Sequence, residues 1–194
     1  MKNNKSFFIL LAVFVVILVG AWLLYDNLGS QFNDAGLAAQ ETTVPDSTAD
    51  TVSTAQNFTV TDLQGNPVQL QDYFDKPILL NFWASWCGPC KSEMPDLEEA
   101  YQQYGDDIHF LIVNLTDGSR ETVASASAYI QQEGYSFPIY FDTSMEAAMA
   151  YQAYSIPITF FIGEGGVPIA YYTGAMSRDI LQQGIDRLLQ SSPH

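Results

Sequence analysis

The sequence predicts a three-layer α/β domain with a mixed central sheet, preceded by a transmembrane helix. Three observations carry this. Ile78 to Ala84 is a near-continuous apolar run, as in a strand at the centre of a sheet covered on both faces. Strand-like and helix-like periodicities alternate from there to Tyr154. A late hairpin, Thr159 to Ile162 and Ile169 to Thr173, closes around Glu164-Gly165-Gly166.

Along the chain, residues 1–29 read as a membrane anchor. Phe7 to Tyr25 is nineteen residues without a charge, enough to cross the hydrocarbon core at ~1.5 Å per residue. Lys2 and Lys5 precede it and Asp26 follows, which keeps the N-terminus cytoplasmic and sends the rest outside. A cleaved signal peptide competes, but its apolar region runs about 7–15 residues before a small-residue cleavage site. Trp22, Leu23, Leu24 and Tyr25 occupy that place here. The expectation is therefore an uncleaved, single-pass cell-membrane protein with an extracytoplasmic domain. No cysteine directly follows the segment, which excludes a lipid anchor.

Residues 30–56 are rich in Ser, Thr, Ala, Asp and Gln and too poor in large apolar residues to offset their ordering entropy. They read as a flexible linker spanning on the order of 30 Å. The folded domain is assigned to 57–194. Phe58 to Thr61 and Val68 to Leu70 alternate across a Gln64-Gly65-Asn66-Pro67 turn, a hairpin. After Ile78 to Ala84, residues Lys91 to Tyr104 form a helix with Met94, Leu97, Tyr101 and Tyr104 at 3–4 spacing, ended by Gly105. Ile108 to Leu115 is a strand and Glu121 to Glu133 a helix. Phe137 to Phe141 is a strand and Met145 to Tyr154 a helix. Ser177 caps a last helix with Ile180, Leu181, Ile185, Leu188 and Leu189 inward.

The charge is strongly negative: 22 Asp and Glu against 7 Lys and Arg, a net −15. All the acidic residues follow the apolar segment. Such a surface repels nucleic acid, which is not an expected partner.

Chemistry concentrates at Cys87-Gly88-Pro89-Cys90, which holds the only two cysteines of the chain. Two thiols three positions apart at a helix start can close a small disulfide and open it again. Unsatisfied N–H groups and the helix dipole lower a thiol pKa from its usual ~8.5. A static disulfide would gain little loop-closure entropy in so small a ring. A zinc site needs four ligands, and only His109 and His194 remain as soft partners, so no metal is expected.

The run Asn81 to Lys91, Asn-Phe-Trp-Ala-Ser-Trp-Cys-Gly-Pro-Cys-Lys, resembles the active-site segment of thioredoxins. Ser155-Ile156-Pro157-Ile158-Thr159 resembles that fold's cis-proline segment, and Gly174 its late glycine. The leading hairpin, the extra helix–strand unit between Leu115 and Phe141, and Lys91-Ser92-Glu93-Met94-Pro95 resemble the membrane-anchored TlpA/ResA branch.

The resemblance implies a thiol–disulfide oxidoreductase in which Cys87 is exposed and nucleophilic, with Cys90 shielded below it to resolve the mixed disulfide. It implies that Glu93 handles protons beside the cysteines. A cis Pro157 would leave the Ile156 backbone free to pair with an extended substrate. Trp86, Gly88 and Pro89 would form the docking surface, and Gly88-Pro89 is the dipeptide of reducing thioredoxins. Asn81 departs from cytoplasmic thioredoxins, which place a buried aspartate there. Electrons would come from a membrane thiol carrier. Clients would be disulfide-bearing envelope proteins, including apocytochrome c awaiting haem. No cofactor beyond the Cys87–Cys90 disulfide is implied.

Three competing readings stand beside this one. A disulfide-introducing oxidase would use the same scaffold. A peroxiredoxin needs a proline and a hydroxyl residue ahead of its cysteine, and Ala84 stands at the hydroxyl position. A non-catalytic binding module would have no use for the intact cysteine pair.

Overall fold

A computed structural model describes residues 54–191. The anchor and nearly all of the linker lie outside the described residues. Among those described, no helix is long and apolar enough to cross a membrane. The linker's last residues already belong to the domain: Ala55 is buried and its N–H donates to the Gly166 carbonyl at 2.7 Å.

Among the described residues, seven strands make one sheet: β1 (Thr59–Thr61), β2 (Pro67–Gln69), β3 (Ile78–Trp83), β4 (His109–Asn114), β5 (Ile139–Phe141), β6 (Ile158–Gly163) and β7 (Val167–Thr173). Their spatial order is β2-β1-β5-β4-β3-β6-β7. β3, β4 and β5 run parallel, and the flanking pairs are antiparallel. The helices in the same span are α1 (Gly88–Tyr104), α2 (Val123–Glu133), α3 (Glu146–Ala150) and α4 (Arg178–Gln190).

β3 is buried at all six positions, as its apolar run requires. Its alternation divides two cores. Leu79 and Trp83 pack with Cys90, Met94 and Leu97 of α1, Ala126 and Ile130 of α2, and Leu181, Ile185 and Leu188 of α4. Ile78, Leu80 and Phe82 pack on the opposite face with Phe58, Leu70, Ala147 and Ala148. The result is the three-layer mixed α/β architecture, with sheet order and connections of the thioredoxin type.

Several boundaries differ from expectation. The helix expected over Met145 to Tyr154 is only Glu146–Ala150, because Met145 and Gln152 adopt left-handed backbone at φ 59° and 51°. Leu70–Tyr73 forms a 3-10 turn instead of extending the hairpin. α2 begins at Val123, fixed by a capping box in which Thr122 and Ser125 exchange side-chain and backbone hydrogen bonds. Gly105 ends α1 with ordinary right-handed backbone; a Cβ there would lie 2.7 Å from the Tyr101 carbonyl oxygen.

Candidate active site

The C-terminal ends of β3, β4 and β5 face one edge of the sheet, and β3 leads through Ala84-Ser85-Trp86 into α1. Cys87 is the N-cap of α1 with extended backbone (φ −83°, ψ 106°), and Pro89 lies in the first turn, where a missing N–H costs nothing. The Cys87 sulfur accepts the Cys90 N–H at 3.2 Å. This is an N-cap hydrogen bond made by sulfur, and it favours a thiolate once the bond to Cys90 is cleaved. Cys87 and Cys90 are joined in a disulfide of 2.06 Å.

Cys90 is wholly buried, as expected. Cys87 is only 4% exposed, less than the exposed nucleophile expected from the sequence. The Ile156 carbonyl stands 3.7 Å from its sulfur and closes one side. The approach that remains passes over Gly88 and Pro89, both exposed; a Cβ added at Gly88 would meet nothing within 4 Å. The Ile156–Pro157 bond is cis, with Ile156 half-buried and Pro157 buried behind it. The Gly174 N–H, at φ 99°, donates to the Pro157 carbonyl at 2.8 Å and locks the strand entry to the turn after β7.

Glu93, one turn beyond Cys90, is 1% exposed. Its Oε1 accepts from the Asn81 amide at 2.9 Å and its Oε2 from the Met176 backbone N–H at 2.9 Å. Asn81 also donates to Thr159 Oγ1 at 2.9 Å. Burial outweighs these two donors and raises the Glu93 pKa from 4.5 to about 7. A group poised there can accept or give a proton near neutral pH.

Glu121 was not among the site residues expected from the sequence. Its carboxylate is wholly buried, and Oε2 accepts from both the Ser85 N–H (2.9 Å) and the Ser85 hydroxyl (2.8 Å). Oε1 accepts from Ser125 Oγ at 3.1 Å. The segment entering the dithiol is thereby tied to the start of α2. Trp86 is exposed, but the Arg120 guanidinium covers one ring face at 3.6 Å, so the docking surface expected there carries a cation. Lys91 rests over the Tyr129 ring at 4.7 Å. Trp83 is core, and His109 pairs with Asp75 at 2.9 Å, remote from this edge. No cluster of three or more potential metal ligands occurs among the described residues.

A helix-capping dithiol, a cis-proline turn and a buried carboxylate on a thioredoxin-type sheet define a thiol–disulfide oxidoreductase. Known proteins resemble this chain in sequence and fold. Residues 52–169 match the model of the AhpC/TSA family. The chain is 34% identical over 137 residues to the thiol-disulfide oxidoreductase ResA of Geobacillus kaustophilus, covering 70% of this chain and 76% of that protein. It is 30% identical over 185 residues to ResA of Halalkalibacterium halodurans, covering 94% and 95%. StoA from Bacillus subtilis superposes with a TM-score of 0.59 at 25% identity, over 68% of this chain and 97% of that one. The pneumococcal exposed lipoprotein thioredoxin Etrx1 from Streptococcus pneumoniae gives 0.58 at 29% identity, over 69% and 100%. The chain belongs to the AhpC/TSA family and, within it, to the ResA-like thiol–disulfide oxidoreductases.

Proposed function

We propose that this protein is a membrane-tethered, extracytoplasmic reductase of protein disulfides, with Cys87, Cys90 and Glu93 as its catalytic residues. The observation that carries the reading is the N-cap position of Cys87, its sulfur on the Cys90 N–H, with Cys90 buried one turn below.

In the reduced protein the Cys87 thiolate attacks a client disulfide. One client sulfur leaves as thiolate and the other joins Cys87. Glu93, ionised, takes the proton of Cys90. The Cys90 thiolate then attacks the Cys87 sulfur, releases the second client thiolate and forms the Cys87–Cys90 disulfide. Two electrons pass to the client, whose two thiolates take up the proton held by Glu93 and one from solvent. A membrane thiol carrier restores the dithiol.

Client main chain pairs with the Ile156 backbone beside Pro157, and Trp86, Gly88 and Pro89 form the contact rim. Gly88-Pro89 between the cysteines favours the reducing direction over a disulfide-introducing oxidase. The uncharged segment Phe7 to Tyr25 supports an anchor over residues 1–29 and a location in the envelope, where apocytochrome c thiols are one client class.

A Cys90→Ser protein should accumulate mixed disulfides with envelope clients, because attack survives and resolution does not. Trapped adducts resolved on non-reducing gels and absent from Cys87→Ser, Cys90→Ser would support the mechanism. Full biological activity of that double variant would overturn it in favour of a binding module.

A further inference from the structure

Resting on that proposed exchange with protein clients, we propose that Arg120 is a specificity-determining residue. Its guanidinium, laid on Trp86 at the rim of the dithiol, receives a carboxylate that the client carries beside its half-cystine. The preferred client is therefore a disulfide flanked by Asp or Glu.

Stacking occupies only the face of a guanidinium. The N–H groups lie in its plane, open to meet a carboxylate in a two-pronged fashion. Arg120 is exposed, lies 3.6 Å above the Trp86 ring and enters no ion pair among the described residues. Trp86 directly precedes Cys87, so the guanidinium lies on the residue that leads into the dithiol.

The pair is also held from both sides. Asp117 Oδ1 accepts from the N–H groups of Ser119 (2.8 Å) and Glu121 (2.9 Å), and the Gly118 N–H donates to the Glu121 carbonyl at 2.9 Å. The buried Glu121 carboxylate grips Ser85. Residues 117–121 and Ser85-Trp86 therefore form one preorganised unit, which lowers the ordering cost of recognition.

The surrounding charges favour the same assignment. The carboxylates nearest Arg120 in the chain, Asp117 and Glu121, already accept from loop N–H and hydroxyl donors. Elsewhere Arg178 is paired with Asp96 and Glu99, and Lys76 donates to the Asp106 carbonyl at 2.7 Å. On so acidic a chain, an acidic client meets repulsion over most orientations. A cation held at the rim selects the orientation in which its carboxylate lies beside Trp86 and its disulfide over Cys87.

The test uses the reduced full-length protein and short peptide disulfides with Glu, Gln or Lys beside the half-cystine, read as second-order reduction rates. The wild type should reduce the Glu peptide roughly fivefold faster than the Lys peptide. Arg120→Gln should bring the two within about twofold. Arg187→Gln removes the same charge near the end of α4, whose following residue Ser191 packs at Gly163, the end of β6 away from Pro157. It should leave the preference intact.

A wild type that prefers the Lys peptide, or an Arg120→Gln preference equal to the wild type's, overturns the proposal. So does an equal loss in Arg187→Gln, which would mean a bulk field. Failure of the wild type to reduce even the Gln peptide would instead strike the reductase reading itself.

Discussion

Replacing Glu93 with glutamine should make the protein more stable above neutral pH and slower in exchange. A carboxyl with an ordinary pKa of 4.5, raised to about 7 by burial in the folded chain, binds more protons folded than unfolded between those values. Stability is then highest below pH 4.5, declines as pH rises through the window, and levels off above about 7. The gap corresponds to about 3 kcal/mol.

The glutamine side chain does not titrate, so Glu93→Gln lacks this decline. Its amide oxygen can still accept the Met176 N–H. Its NH2 can donate to Asn81 if that amide turns over, with Thr159 Oγ1 then donating to Asn81 Oδ1. Asn81 Oδ1, now buried without a partner, would be exchanged for an unpartnered NH2, at a cost of about 1 kcal/mol. The expected net gain above a pH of about 7.5 is about 2 kcal/mol, falling to a loss of about 1 kcal/mol once both states are protonated. Asp142, whose pKa burial also raises, is common to both proteins and cancels in the difference. Urea denaturation of the oxidised proteins from about pH 4 to about pH 8.5 measures this. A stability difference that stays constant across the range would refute the reasoning. In exchange kinetics the wild type should show an inflection near pH 7 that Glu93→Gln lacks.

Two further outcomes concern the scaffold. Glu121→Ala removes the acceptor for the Ser85 N–H and hydroxyl and should cost about 2–4 kcal/mol; a urea midpoint equal to the wild type's would show that the latch carries no weight. Gly184→Ala places a Cβ 2.2 Å from the Phe161 ring, where α4 crosses β6, and should cost about 1–3 kcal/mol. Because Gly184 lies away from the dithiol, its exchange rate at low temperature should match the wild type's, and a fall in rate alone would contradict that placement.

What could be read from the sequence was local. β3 announced itself because a doubly covered strand needs apolar residues at every position, and α1 because Cys90, Met94 and Leu97 recur at helical spacing. The dithiol needed only its own four residues. By contrast, α3 is shortened by left-handed backbone at two residues that are not glycine, Met145 and Gln152, which composition does not mark. The extra residue Ile169 between the β6 and β7 registers is likewise set by packing. Glu121 meets Ser85 across 36 positions and Thr159 meets Asn81 across 78, so neither pair leaves a periodic trace.

Those long-range pairs explain why one dithiol motif needs so much protein around it. Two buried carboxylates flank the segment Ser85 to Glu93 and differ in what surrounds them. Glu121 accepts three hydrogen bonds from Ser85 and Ser125, which commits it to holding the backbone that presents Cys87. Glu93 accepts two, from Asn81 and Met176, and burial keeps its proton near neutral pH. A third donor at Glu93 would favour its ionised form and weaken it as the proposed acceptor of the Cys90 proton. A donor lost at Glu121 would free Ser85 and with it the N-cap geometry of Cys87. The extra helix–strand unit after β4, made of α2 and β5, is thus joined to the dithiol segment through Glu121, Arg120 and Tyr129. Deleting it to leave a minimal thioredoxin fold would remove the support of Ser85 and the cation over Trp86 together.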